Sequence, residues 1–135
     1  MTFLVDANVL CEPTKPAPNP RVVEWLTANE GSIAVDAVIL GEVYAGILAL
    51  PNGRRRQRLE RWFEEVVRTL DCLPWDGVVG LRWARLVIDL RKRGAPLPVL
   101  DSLIAATALA HGLTVATRNQ RDFEKTGVLV VNPFA

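Results

Sequence analysis

The sequence predicts an α/β fold on a central, mainly parallel sheet of about five strands. Three observations predict it. Short apolar, β-prone runs alternate with stretches of helical periodicity along the whole chain, and that alternation calls for parallel strands joined by helical crossovers. The run Thr2–Val5 is apolar and short, as a central buried strand is. The 135 residues, 50% of them hydrophobic, suffice for one domain, 1–135, with a sizeable core and not for two.

The elements follow in order. The strand Thr2–Val5 ends in Asp6. The Pro-rich stretch Pro13–Pro20 is a loop, too near the start to separate domains. Asn19-Pro20 supplies an N-cap followed by proline at the first helical position, and Val22, Val23, Trp25 and Leu26 continue an amphipathic helix that Gly31 stops. Ser32–Val35 reads as a second strand. Asp36 can cap the next helix, Ala37–Leu50, which carries Glu42 among apolar neighbours. Pro51-Asn52-Gly53 is a turn. Arg54–Leu70 is a charged helix with Leu59, Trp62, Phe63, Val66 and Val67 at about 3.6-residue spacing. Asp71–Trp75 fits a third strand. Val78–Arg93 is a helix closed by Arg91-Lys92-Arg93 and Gly94. After a loop marked by Pro96 and Pro98, Val99–His111 is a helix rich in small residues, ended by Gly112. Leu113–Thr117 and Val128–Val131 are the last strands, joined by a polar loop with room for one helical turn.

Charge and composition narrow the chemistry. Sixteen basic and fifteen acidic residues leave a net charge of +1, which excludes an acidic disordered tail and a histone-like basic binder. Nucleic acid stays open as a substrate, because local patches decide that. One histidine excludes histidine-rich metal sites and any mechanism needing two imidazoles. Cys11 and Cys72 are too few for a disulfide scaffold or a cysteine zinc site. There is no signal peptide, and no apolar run approaches the roughly 20 residues that span a bilayer. The expected compartment is the cytoplasm.

Acid, base or metal chemistry must therefore rest on carboxylates, and several stand at element ends. In open α/β sheets, reacting groups collect beyond the carboxyl ends of the strands. Asp6 follows the first strand; it fits either a helix N-cap or a group at the mouth of a crevice. Glu42 sits among Ile39, Leu40, Val43 and Tyr44, so it either points to water or meets a cation. Asp101 lies in the first turn of its helix, where the dipole favours the ionised form, whether for capping or for metal ligation. Asn119 and Asp122, in Thr117-Arg118-Asn119-Gln120-Arg121-Asp122-Phe123, can both reach the sheet edge; a turn and a cap are the structural alternatives. Oxygen donors without cysteine or histidine suit Mg2+ or Mn2+ and metal-assisted hydrolysis of a phosphate ester.

At these residues the sequence resembles a PIN domain, and more narrowly a VapC-type toxin of bacterial toxin–antitoxin pairs. Phe3-Leu4-Val5-Asp6-Ala7-Asn8 resembles the family's strand followed by Asp-x-Asn. Ile39-Leu40-Gly41-Glu42 matches the second acidic position, and Asp101-Ser102-Leu103-Ile104-Ala105-Ala106-Thr107-Ala108 the third. Ala116-Thr117-Arg118-Asn119 through Asp122-Phe123 matches the fourth segment, and Asn132-Pro133-Phe134 the usual ending. Glu12-Pro13 and Asn19-Pro20-Arg21-Val22-Val23-Glu24-Trp25-Leu26 suggest the FitB-like branch. The resemblance covers essentially the whole chain. It implies a three-layer α/β/α PIN-like fold and a metal-dependent endoribonuclease held inactive by a cognate antitoxin, with RNA products carrying a 5′-phosphate and a 3′-hydroxyl. A homodimer is expected from the apolar faces of the chain, and a higher-order complex with the antitoxin on operator DNA is a further option for such a pair. Asp6 and Asp101 would be the principal Mg2+ ligands, and Glu42 would complete the pocket and help to orient the nucleophile. Asn8 and Thr117 would be supporting polar groups near the substrate. Many relatives carry an acid where this chain has Asn119, so Asp122 would take the fourth carboxylate role and one metal is favoured over two. The same amide keeps open a catalytically weak binding module. A haloacid-dehalogenase-like domain also places Asp after its first strand, but position 8 is not Asp and no convincing catalytic lysine follows.

Arg118 and Arg121 lie beside the proposed pocket and are candidates for gripping substrate phosphate. Arg54, Arg55, Arg56, Arg58 and Arg61 either hold RNA or form a solvated face offset by Glu60, Glu64 and Glu65. The tryptophans read as core or interface anchors. Ile39, Val43, Ile47 and Leu48, with Trp83, Leu86, Val87 and Leu90, form two apolar faces, part of which is expected to meet a second copy or an antitoxin.

Overall fold

The computed structural model describes residues 1–135. Five strands form one sheet: β1 (Phe3–Val5), β2 (Ile33–Asp36), β3 (Asp71–Leu73), β4 (Thr114–Ala116) and β5 (Val130–Val131). All pair in parallel, in the order β3-β2-β1-β4-β5. Seven helices flank the sheet in a three-layer α/β/α arrangement: α1 (Ala7–Leu10), α2 (Pro20–Ala28), α3 (Ala37–Leu48), α4 (Arg54–Glu65), α5 (Gly77–Lys92), α6 (Val99–His111) and α7 (Gln120–Glu124). No helix is long and apolar enough to cross a membrane.

The order has a functional consequence. From central β1 the chain builds outward through β2 to β3, then crosses back to lay β4 and β5 on the other side. The direction of winding reverses between β1 and β4, and at such a point the loops beyond the strands part to leave a crevice. Val5 pairs with Ala116, so Asp6 comes level with Thr117. Leu4 pairs with Ala34, which brings Asp36 to the same level on the other side of Asp6.

The core is one apolar cluster that includes Leu4, Val5, Val35, Ile104, Val115 and Phe123. Ile39, Val43 and Ile47 of α3 and Leu86 and Leu90 of α5 belong to it. These five are covered by the sheet and neighbouring helices, so only the remainder of the two faces is left for a partner. Trp83 and Val87 are half-buried, and Leu48 alone of the two faces is exposed. Further uncovered apolar side chains are Val78 and Leu81 on α5, Val99 on α6 and Leu129 just before β5.

α3 ends at Leu48, short of the predicted Leu50, and α2 and α4 also end early, for local reasons. α2 stops at Ala28 because the Asn29 side-chain amide donates to Trp25 O (2.8 Å), ending the helix before Gly31. α4 stops at Glu65 and is followed by a 3-10 turn, Val67–Thr69. Val66 and Val67 are β-branched, and the Thr69 hydroxyl donates to Val66 O (2.6 Å), competing with the helical pattern. Arg56 is not free for RNA: it reaches Glu60 Oε1 (2.9 Å) and Asn52 Oδ1 (3.1 Å).

α6 ends as its sequence predicts. Gly112 adopts the left-handed conformation (φ 65°, ψ 36°) and its N–H donates to Ala108 O. No atom would crowd a Cβ there, so the cost of a side chain is conformational alone. Gly112→Ala is expected to lower stability by about 1 kcal/mol. Urea unfolding would register this as a lower midpoint at unchanged slope; an unshifted midpoint would contradict it.

Candidate active site

The carboxyl ends of β1, β4 and β2 deliver Asp6, Thr117 and Asp36 to one edge of the sheet. Asp6 is only 4% exposed. Its Oδ1 caps α1 by accepting from Ala7 N (2.8 Å). Its Oδ2 accepts from the Thr117 hydroxyl (2.7 Å) and from Asn8 Nδ2 (3.2 Å). A cap needs one oxygen; the other is held by two further side chains, so the plane of the carboxylate is set. Burial pushes the Asp6 carboxyl above its usual range, and the bonds from Thr117, Ala7 and Asn8 pull back against that.

Thr117 is fully buried and faces Asp6, not solvent. Its oxygen also accepts from Asn119 N (3.0 Å). Asn8 Oδ1 accepts from Arg118 N (3.1 Å), which ties the end of β1 to the segment after β4. Both residues therefore hold Asp6 in place.

Glu42 comes from α3. Ile39, Val43 and Ile47 bury one side of this helix and leave Glu42 half-buried beside them. Its Oε1 is out of water and has no hydrogen-bond partner. Such an orphaned oxygen is costly and rare. Burial first, then the charges of Asp6, Asp101 and Asp36, push the Glu42 carboxyl up to about 7. Asp101, half-buried in the first turn of α6, is pushed up to about 6 by burial, then by Asp6 and Asp122. Asp122 on α7 is half-exposed, with Lys125 Nζ 3.5 Å away. The charge of Asp6 thus reaches both Glu42 and Asp101, and that of Asp122 reaches Asp101, although these residues come from separate elements.

Asn119 is exposed and its side chain does not cap α7. Arg118 is exposed, with its guanidinium 3.8 Å over the ring of Phe134. Arg121 is exposed on α7. Cys11 lies close by, but burial and then Glu42 push its thiol up to about 11, so it stays protonated at neutral pH.

One pairing had no sequence reading. Asp36, read only as a cap, is fully buried and also accepts from the Thr107 hydroxyl of α6 (2.6 Å). The available signal was a lone hydroxyl residue in the apolar run Ile104-Ala105-Ala106-Thr107-Ala108.

The donors are all oxygens, as Mg2+ and Mn2+ prefer. As the side chains stand, no three acidic, histidine or cysteine groups close into a cage for an ion. Mg2+ does not require one, since it keeps several waters and is held directly by one or two carboxylates. An orphaned oxygen on Glu42, and two carboxyls, Glu42 and Asp101, raised by burial and by neighbouring carboxylates, fit a cation in their midst. A cavity of about 500 Å³ lies elsewhere, against Leu10, Leu26 and Trp62.

The profile of the PIN domain matches residues 3–129. The chain is 35% identical to the toxin FitB of Neisseria gonorrhoeae over 136 aligned positions, covering 98% of each chain. It is 33% identical to a VapC ribonuclease of Sinorhizobium fredii, covering 98% of this chain and 97% of that one. Among solved structures, FitAB bound to a DNA fragment superposes with a TM-score of 0.94 at 33% identity, over 99% of this chain and 96% of the other.

Proposed function

Because the chain belongs to the PIN-domain family, we propose that it is a Mg2+- or Mn2+-dependent endoribonuclease and the toxin of a toxin–antitoxin pair. The observation that carries this reading is the orphaned Glu42 oxygen among carboxylates that Asp6 and Asp101 raise, with no protein cation to balance them.

Asp6 and Asp101 would hold the ion, with Asp6 kept in plane by Thr117 and Asn8. Glu42 completes the acidic set, directly or through water, and orients the attacking water by accepting its hydrogen bond. Asp122 supplies the fourth carboxylate, and Asn119 contributes an amide oxygen without charge. Arg118 and Arg121 hold substrate phosphate. The Arg118 guanidinium lies 3.8 Å over the Phe134 ring, which supports it where its N–H groups would meet phosphate. The bound ion would lower the pKa of its water and share the charge that develops on the phosphorus oxygens. The products would carry a 5′-phosphate and a 3′-hydroxyl.

The likeness to FitB and to the DNA-bound FitAB complex supports a cognate antitoxin as partner, with DNA reached through it; a homodimer is the oligomeric state that goes with this reading. Residues 1–135 would act as one PIN domain, in the cytoplasm where RNA is met. The amide at Asn119 and the lack of a closed ligand cage favour a second reading, a catalytically weak module that works through its antitoxin complex.

Purified protein incubated with RNA decides between them. Cleavage is expected with Mg2+ or Mn2+ and none with EDTA. Cleavage that survives chelation would overturn the metal reading, and binding of Mn2+ without any cleavage would favour the weak module.

A further inference from the structure

Asp36 is the carboxylate of this edge that lies wholly out of water and has no part in the reaction proposed above. Both its oxygens are engaged. Oδ1 accepts from Ile39 N (2.8 Å) and caps α3, while Oδ2 accepts from the Thr107 hydroxyl (2.6 Å) on α6. Serine or threonine would cap α3 as well without burying a charge, so the cap alone does not explain the residue. The second bond joins the start of α3 to the middle of α6.

The placement matters because these two helices carry two of the site's carboxylates. Glu42 follows Asp36 by six positions and Asp101 precedes Thr107 by six, each about 9 Å along its helix axis. Ala105, Ala106 and Ala108 beside Thr107 are fully buried and short, so few long side chains interlock at that point of α6. A directional hydrogen bond from a fully enclosed carboxylate then supplies the lateral register that interlocking would otherwise supply.

We infer that the Asp36–Thr107 hydrogen bond is a positioning joint: it locks α3 against α6 and so sets the separation of Glu42 and Asp101 for one divalent cation. Asp36 and Thr107 touch neither metal nor RNA; they act through the helices. The inference rests on the metal-nuclease reading, and the test separates the two.

Mn2+ binding is measured by calorimetry at pH 8 on the purified full chain, with melting temperature in EDTA recorded for every variant. Thr107→Val removes the hydroxyl at nearly constant volume and is expected to weaken Mn2+ binding by about tenfold, as loss of an outer-shell support does. Thr107→Ser keeps the hydroxyl and is expected to restore wild-type affinity. Asp36→Ser keeps the cap, removes the buried charge and cannot reach Thr107; it is expected to bind as weakly as Thr107→Val. Val67→Ala, a core residue at the start of the 3-10 turn, is the control for plain destabilisation and is expected to lower the melting temperature without changing Mn2+ affinity. Wild-type affinity in Thr107→Val, or an equal loss in Val67→Ala, overturns the joint while leaving the metal reading intact. A wild-type chain that binds no Mn2+ overturns the metal reading and the joint together.

Discussion

Asp6→Asn is expected to reduce RNA cleavage by roughly three orders of magnitude while the protein stays folded. Metal stabilisation of transition-state charge is a matter of several kcal/mol, and about 1.36 kcal/mol is a factor of ten in rate. The substitution removes the charge on which Thr117, Asn8 and Ala7 converge, and that charge also bears on Glu42 and Asp101. The fold should tolerate it. An asparagine oxygen still accepts from Ala7 N, so the cap on α1 survives. Removing a buried charge also relieves the like-charge pressure on the other two carboxylates. Single-turnover cleavage in Mn2+ and a thermal melt in EDTA measure the two halves. A rate within tenfold of wild type would remove Asp6 from the metal site; a collapsed melt would make it a structural residue first.

Mn2+ affinity is expected to fall roughly a thousandfold between pH 8 and pH 5. The carboxyls of Glu42, at about 7, and Asp101, at about 6, must both shed their protons to ligate, and at pH 5 both hold them. Without metal the dependence on pH has the opposite sense. Each raised carboxyl keeps its proton in the folded chain to a higher pH than in the unfolded chain. Through the window from about pH 4 to about pH 7 the unfolded state binds fewer of these protons, so the metal-free fold loses stability as pH rises. Added Mn2+ should reverse that at the alkaline end, where a hundredfold excess over its dissociation constant stabilises by about 2.7 kcal/mol. Melts against pH, with EDTA and with Mn2+, should therefore diverge above pH 7 and converge near pH 5. Parallel curves would mean that the cation does not bind at these carboxylates.

Much of this was readable along the chain. α6 spans the predicted Val99–His111 because its end is written in Gly112, which supports the left-handed closure that other residues resist. The α/β alternation together with the rule for strand ends pointed to Asp6, and Glu42 stood out because an acid among Ile39, Leu40, Val43 and Tyr44 needs a reason. The end of α4 was not readable: periodicity continues through Val66 and Val67, and the helix breaks because of local competition from Thr69. Which members of the apolar faces of α3 and α5 join the core was not readable either, since hydrophobicity counts how much is to be covered and not what covers it: Ile39, Val43, Ile47, Leu86 and Leu90 are covered, while Leu48 stays exposed.

The sequence by itself determined the fold class and the order of the elements, because propensity, periodicity and caps depend on near neighbours along the chain, and it pointed to carboxylates as the candidate site. Only the tertiary structure decided which carboxylates share a field, which oxygen of Glu42 is left without a donor, and that Asp36 reaches Thr107 across 71 positions. Desolvation and charge–charge energy depend on distance through space. Those distances are set when β4 crosses back to lie beside β1, and no local pattern in the sequence records them.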